Sequence, residues 1–462
     1  MISRRTVLTA TTAGLALSQF PKVLFASQDV AKSYRIGAAE GEHSFYEGAK
    51  PSKLWLYNGS APGPEIFATK GEILEVIFVN HLDEPTTIHW HGIRNINAMD
   101  GVPGLTQDAV EPGESFTYRF PLRDAGTFWY HAHNKAWEQV ARGLYGPLIV
   151  KEEGSQSEKD DIVLLVDDWL LDEEEQIHTA SLGSLHDWSH GGRHGNFLTV
   201  NGRSQPKIEI PAEGPVRLRF ISAANARIMR FSLNDGLLMR VVAVDGAPCE
   251  PFDIDEVALA PAQRVDILLE SSATLQSVWE ISTGERVIAA SFERGNAISS
   301  GLPLLLRAMP WYEKPDPAGA RQVDIHMQGG AMGNLMSAEF DGTTRTLQDI
   351  ARNEKKLWAF NGKIGSYALD IADVKLGDVV QLNVWNDTRW RHAMHLHGQH
   401  FWVSSQEFEG GARDLLRDTY LMQPGERAEF LFVADNPGDW LFHCHMLEHH
   451  EGGMSTWFEV QA

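Results

Sequence analysis

Three stretches of this chain repeat one order of events. Each opens on an Asn-Gly pair, passes through a short Pro- and Gly-containing segment, and ends in a strand-like alternation. The first runs from Asn58-Gly59 to Ile73-Leu74-Glu75-Val76-Ile77-Phe78-Val79-Asn80. The second runs from Asn201-Gly202 to Val216-Arg217-Leu218-Arg219-Phe220-Ile221, and the third from Asn361-Gly362 to Val379-Val380-Gln381-Leu382-Asn383-Val384-Trp385-Asn386. Asn-Gly marks a tight turn between strands, because both central residues of such a turn need positive φ. Further on, Pro112-Gly113-Glu114, Pro261-Ala262-Gln263-Arg264 and Pro424-Gly425-Glu426-Arg427 each precede another alternating run. The units lie about 150 residues apart, the size of a domain rather than of a solenoid repeat. Short alternating strands with Gly/Pro turns predict an all-β chain of three consecutive Greek-key β-sandwich domains. A length of 462 residues agrees with about three domains. The expected boundaries are 35–153, 160–312 and 320–462, with the polar run Lys151–Asp160 as the first linker and Trp311–Gly319 as the second.

Histidines are paired on the same alternation. His89-Trp90-His91, His131-Ala132-His133, His395-Leu396-His397 and His443-Cys444-His445 each place two imidazoles at positions i and i+2. On a strand those positions share a face, so each motif presents two ring nitrogens side by side. The same rule sends Cys444 to the opposite face from His443 and His445. One strand can therefore serve two metal sites joined by a short covalent path. Two His, one Cys thiolate and a distant Met form a blue-copper electron-transfer set. One Cys, one His and one Met come from the stretch His443–Met454, and the second His must come from elsewhere in the chain. Structural zinc prefers a closed site of about four ligands, and ten histidines with a Cys and a Met are too many for one such ion.

These four motifs, in this order, resemble the multicopper oxidases, the family of laccases, bacterial cuprous oxidases and bilirubin oxidases. The resemblance covers nearly the whole chain after the first thirty residues. It implies cupredoxin-like domains and four coppers per chain. A type 1 copper would take His392, Cys444 and His449, with Met454 as weak axial ligand. A type 2 copper would take His89 and His395, and a type 3 pair His91, His131, His133, His397, His443 and His445. The middle domain lacks H-x-H pairs; Ile228-Met229-Arg230-Phe231 stands where Ile88-His89-Trp90-His91 stands in the first. It is expected to be a spacer, with the trinuclear cluster between the first and third domains. The implied activity is one-electron oxidation of a small reducing substrate, coupled to four-electron reduction of O2 to water. The substrate is open between a phenol or aromatic amine and a metal ion such as Cu(I) or Fe(II), the latter tied to copper homeostasis. A copper carrier, or a copper-free three-cupredoxin interaction protein, is the alternative; ligand loss would mark the copper-free form, and no ligand position is lost here. Asp100 is the candidate proton relay or ligand-orienting acid, and Glu451 the second candidate relay. Two departures from the family pattern stand out: Ala393 replaces a usual Pro, and His450 stands where many bacterial relatives carry Glu.

Composition narrows the setting. A formal charge of −22 argues against nucleic acid and anionic membranes as partners. With two cysteines, Cys249 and Cys444, and one of them a copper candidate, no intramolecular disulfide is expected; Cys249 reads as a small buried hydrophobe. Ser3-Arg4-Arg5-Thr6-Val7-Leu8 before an apolar run resembles a twin-arginine export signal spanning 1–26. The run is shorter than the roughly 20 apolar residues a bilayer span requires. The expected location is the periplasm of a bacterium, or outside the cell, after passage through the twin-arginine machinery. A chain carrying every ligand is expected to work as a monomer. Met327, Met332 and Met336 are expected to cover the third domain as hydrophobic residues, with Cu(I) binding as the alternative. His178, His186, His190 and His194 are expected in a solvated loop, with an auxiliary metal site or a flap near the substrate as the alternative.

Overall fold

The computed structural model describes residues 31–152, 160–234, 237–296, 298–299, 310–365, 367–369, 374–405 and 414–462. The export-signal segment and most of the linker after Lys151 lie outside the described residues. Three pairs of packed sheets follow one another along the chain. The first sandwich holds two four-stranded sheets, the second a six- and a five-stranded sheet, and the third a six- and a four-stranded sheet. Among the described residues no helix is long and apolar enough to cross a membrane.

The sequence repeat is a repeat of pairing. In the first sandwich the strand Lys32–His43 runs parallel to Ile73–Asn80, which pairs antiparallel with Ser115–Pro121. In the second, Asp161–Trp169 runs parallel to Val216–Ser222, which pairs with Arg264–Leu269. In the third, Arg321–Gly329 runs parallel to Val379–Asn386, which pairs with Arg427–Val433. Alternation explains the burial. Leu74, Val76 and Phe78 point into the first core, and Val380, Leu382 and Val384 into the third.

The Asn-Gly turns do more than reverse the chain. All three have positive φ at both residues: Asn58 52° and Gly59 76°, Asn201 51° and Gly202 71°, Asn361 51° and Gly362 74°. Each Asn side chain also clamps the first strand of its own sandwich. Asn58 accepts from Gly37 N–H and donates to the Arg35 carbonyl; Asn201 does the same with Leu165 and Val163, and Asn361 with His326 and Asp324. An Ala in place of any of these would lose both bonds and the easy positive φ.

Several strands are buried on both faces, and these carry the histidines. In Ile88–His91, Ile88 and Trp90 enter the first core while His89 and His91 face outward toward the third sandwich. Gly126–Ala132 has no exposed position: Phe128, Tyr130 and Ala132 fill the first core, and Trp129 belongs to a separate apolar cluster with Trp169 and Ile221 of the middle sandwich. In Gly438–Cys444, Trp440, Phe442 and Cys444 enter the third core, leaving His443 on the other face. Met229 and Phe231 of the middle sandwich are ordinary core residues. Cys249 is buried in that same core, as expected. Met327 is buried in the third core, but Met332 and Met336 are 69% and 81% exposed. The expectation of hydrophobic cover fails for those two, because the chain turns outward at Gly329 and Gly330, both with positive φ.

Candidate metal centre

Eight imidazoles meet where the first and third sandwiches face each other. Cross-strand register starts the assembly: His89 is opposite His131, and His395 opposite His443. The two halves then interleave. The His91 and His395 rings stack with centroids 3.8 Å apart, and His89 and His397 lie 3.9 Å apart. Nitrogen donors gather into compact groups: His89, His91 and His395; His91, His131 and His445; and His395, His397 and His443. The two sandwiches are locked around them by Asn97 donating to the Asp439 carbonyl at 2.6 Å and Asn436 donating to the Asn95 carbonyl at 2.7 Å.

Hydrogen bonds to the outer nitrogens fix which nitrogen is left for a metal. His89 donates Nδ1–H to the Asp100 carbonyl at 2.8 Å, His395 to the Asp418 carbonyl at 2.8 Å, His443 to the Cys444 carbonyl at 3.0 Å and His397 to Asp100 Oδ2 at 2.8 Å. Each of these rings must then carry a lone pair on Nε2. The Nε2 atoms of His397 and His443 face each other at 3.0 Å. Two lone pairs at that distance repel unless a cation lies between or beside them. Nε2 of His89, His133 and His395 and Nδ1 of His91 and His445 are buried with no hydrogen-bond partner. Orphaned buried polar atoms are rare and costly, and five within one group of facing rings fit a metal cluster. Burial first, then repulsion from neighbouring rings, holds His91, His131, His133, His397, His443 and His445 well below the usual histidine range. Burial pushes His395 down to about 3 against the opposing pull of Asp418. The rings are neutral and ready to donate.

On the other face of the same strands, His392 and Cys444 meet His449 of the short helix Leu447–Glu451 in a second group. Cys444 Sγ is 3.5 Å from His392 Nδ1 and 3.7 Å from His449 Nδ1, and the two nitrogens are 3.0 Å apart. The outer nitrogens are again engaged, His392 Nε2 with the Thr388 hydroxyl at 2.8 Å and His449 Nε2–H with the His190 carbonyl at 2.7 Å. Burial pushes the Cys444 thiol up, so only a bound cation would hold it as thiolate here. Met454 is fully buried in the same apolar cluster, and its carbonyl accepts from Cys444 N–H at 3.1 Å. Trp358 packs on both rings, 4.9 Å from His392 and 4.4 Å from His449. The donor set is soft and dry, which suits copper.

The supporting residues come from all three sandwiches. Asp100 is fully buried, with Oδ2 on His397 and Oδ1 3.4 Å from His89 Nδ1. Asp418 approaches His91 Nε2 at 3.3 Å and is itself gripped by Arg264 through bonds of 2.7 and 2.5 Å. Burial alone would raise the Asp418 carboxyl; Arg264 and then His91 overcome it and hold it well below the usual range. Arg264 belongs to the middle sandwich, as do His190 and Asn225, whose amide donates to Glu448 at 3.0 Å. That domain contributes none of the expected ligands, yet it is more than a spacer, since it braces the histidine cluster and covers the Cys444 site. The segment expected as a solvated loop is that cover. His186 and His194 are exposed, but Ser189 accepts from Ala331 N–H at 2.7 Å and Trp188 accepts from Trp358 at 2.7 Å.

Two acids need separating. Glu451 pairs with Lys356 at 2.9 Å near the surface, and its carboxylate is not hydrogen-bonded to any cluster ring. Glu448, unremarked in the sequence, is fully buried, and burial pushes it up to about 7. His450 lies between Glu451 and the cluster, its ring 4.2 Å from His443 and 5.5 Å from His133. Its alignment with a family acid was visible in sequence; its contact with two candidate ligands was not.

Comparisons with known proteins agree with this geometry. Multicopper oxidase family models match residues 39–155, 160–300 and 339–462. A crystal structure of a multicopper oxidase from Pseudomonas thermotolerans is 32% identical, with a TM-score of 0.75 over 93% of this chain and 99% of that one. A Campylobacter jejuni multicopper oxidase, described as a metallo-oxidase, is 28% identical with a TM-score of 0.76 over 95% of this chain and 93% of its own. The multicopper oxidase mco of Staphylococcus aureus is 26% identical over 455 residues, covering 96% of this chain and 92% of that protein. The chain belongs to the multicopper oxidase family and is an oxidoreductase that uses O2.

Proposed function

We propose that the chain oxidises a small donor by one-electron steps at the His392–Cys444–His449 site and reduces O2 at the eight-histidine cluster. One observation carries the reading: Cys444 faces one donor group while His443 and His445, its immediate neighbours, face the other. His392, Cys444, His449 and Met454 would hold one (type 1) copper, His89 and His395 a second (type 2), and His91, His131, His133, His397, His443 and His445 a (type 3) pair; bound there, copper would supply the one-electron redox chemistry by which O2 takes up four electrons and four protons to give two waters. The chain's own task is to hold the donors in fixed tautomers and to exclude water. Asp100 fixes the Nδ1–H of His397, and it is the group we assign to holding a proton beside the cluster. Glu451, paired with Lys356, is set aside as the relay. One chain supplies every donor, so a monomer suffices. The proposed location is the periplasm or outside the cell, by way of the twin-arginine machinery.

For the donor, a reducing metal ion such as Cu(I) or Fe(II) is favoured over a phenol. The N–H of His449 that a phenol oxygen would seek is already given to the His190 carbonyl, and His392, Cys444 and His449 are fully buried. The ring of Trp390 packs on His190 with centroids 5.1 Å apart. Electron passage needs no direct donor contact with the ligand, whereas aromatic recognition does. The net charge of −22 draws cations, and the Campylobacter relative is described as a metallo-oxidase. The test is oxygen uptake with Cu(I), Fe(II) and a phenol in parallel. Four donors oxidised per O2, faster with a metal ion, is the expected result. A faster phenol would overturn the donor assignment, and absence of oxygen uptake with all three would overturn the oxidase reading.

A further inference from the structure

The cluster has eight histidines by family pattern, but nine imidazoles by geometry. His449 and His450 are consecutive on the short helix Leu447–Glu451. A helix turns about 100° per residue, so His449 points to Cys444 while His450 swings toward the trinuclear side. The backbone holds this position firmly: His450 N–H donates to the Met446 carbonyl at 3.1 Å, and Gly453 N–H donates to the His450 carbonyl at 2.9 Å. The donor atoms of His450, His133 and His443 all lie within 4.8 Å of one another. His133 Nε2 is buried without a hydrogen-bond partner, and His443 has its Nδ1–H committed to the Cys444 carbonyl. Among the described residues no hydrogen bond engages the His450 ring.

We propose that His450 is a ninth metal donor, supplying a fourth nitrogen to the metal held by His133, His397 and His443. This rests on the copper reading above. The other half of the pair, His91, His131 and His445, has three rings, and among the described residues no imidazole outside the eight candidate ligands joins that group. The two type 3 positions are therefore unequal in this chain: one is held by four nitrogens, the other by three. The extra donor replaces a family acid, and its chemical consequence is retention. A metal with four protein nitrogens leaves more slowly than one with three.

The test uses the full copper-loaded chain. In a crystal structure phased at the copper edge, a His450 nitrogen should lie at bonding distance from the copper of His133, His397 and His443. His450→Phe keeps a ring against His443 and removes the donors; it should release copper to a chelator about tenfold faster or more, with the blue colour unchanged. A His450 ring clear of every copper, or His450→Phe releasing copper at the wild-type rate, overturns the proposal while a blue four-copper wild type leaves the function standing. A wild type that takes up fewer than four coppers, or is colourless, overturns both. If His450→Phe does not fold, the crystallographic distance decides alone.

Discussion

Replacing Arg264 with Met removes a middle-domain side chain that touches no candidate ligand, yet it should weaken the histidine cluster. All five N–H donors of this guanidinium are used: Nε on the Thr127 carbonyl, Nη1 on the Ala262 carbonyl and Asp418 Oδ1, Nη2 on the Asp245 carbonyl and Asp418 Oδ2. Both Arg264 and Asp418 are fully buried. Removing one partner of a buried ion pair leaves the other charge stranded, at a cost of about 3–5 kcal/mol. At roughly 2–4 °C per kcal/mol for a unit of 150–250 residues, the melting temperature should fall by about 6–20 °C. The assay is urea unfolding of the copper-free chain, with copper content and blue absorbance of the loaded chain. Because Asp418 orients His91 and His395, the loaded variant should lose cluster copper and keep its colour. Adding Asp418→Asn removes the stranded charge and should recover about 1–3 kcal/mol. An Arg264→Met chain within about 1 kcal/mol of wild type, with four coppers, would refute the reasoning.

Cys444→Ser should abolish the blue colour and oxygen uptake while costing the copper-free fold about 1–3 kcal/mol, the penalty for one buried hydroxyl; a blue Ser variant would sink the type 1 assignment. Asp100→Asn should weaken cluster copper about 10- to 100-fold at unchanged colour, because the acceptor that orients His397 is blunted; chelator competition followed by copper analysis reads this, and wild-type retention would count against it. The copper-free chain should lose stability on acidification. Its buried rings have folded values below the ordinary 6.5, so the unfolded chain binds more protons as pH falls. Stability is full above 6.5 and falls by about 1.4 kcal/mol per ring at pH 5.5. A urea midpoint that stays flat from pH 7.5 to 5.5 would contradict this.

The alternation rule carried most of what was legible in the sequence. It put His89 and His91 on one face, set Cys444 against His443 and His445, and marked the repeated strands, because strand period is a local property. The parallel pairing inside each sandwich was hidden, since register depends on partners distant in sequence. Arg264 and Asp418 were hidden for the same reason: 154 positions separate them, and neither sits in a ligand motif. His190 acts on His449 through a backbone carbonyl, which leaves no mark in residue type. His450 was visible as a departure, but only the helix showed which site it faces. Met327 keeps to the expected hydrophobic cover, whereas Met332 and Met336 depart from it because exposure there is set by two glycine turns rather than by hydropathy.

The hydrogen bond from His449 to the His190 carbonyl separates two kinds of inheritance. The candidate ligands lie on strands, strand ends and one short helix of the first and third sandwiches. On the proposed function, the cover that an approaching donor would meet is a short segment of the middle one, more than 250 positions from His449 in the chain. Donor preference can therefore drift by insertion or exchange in that segment while the redox centre stays as it is. Grafting the segment from a relative with another donor would be the economical way to re-aim this oxidase.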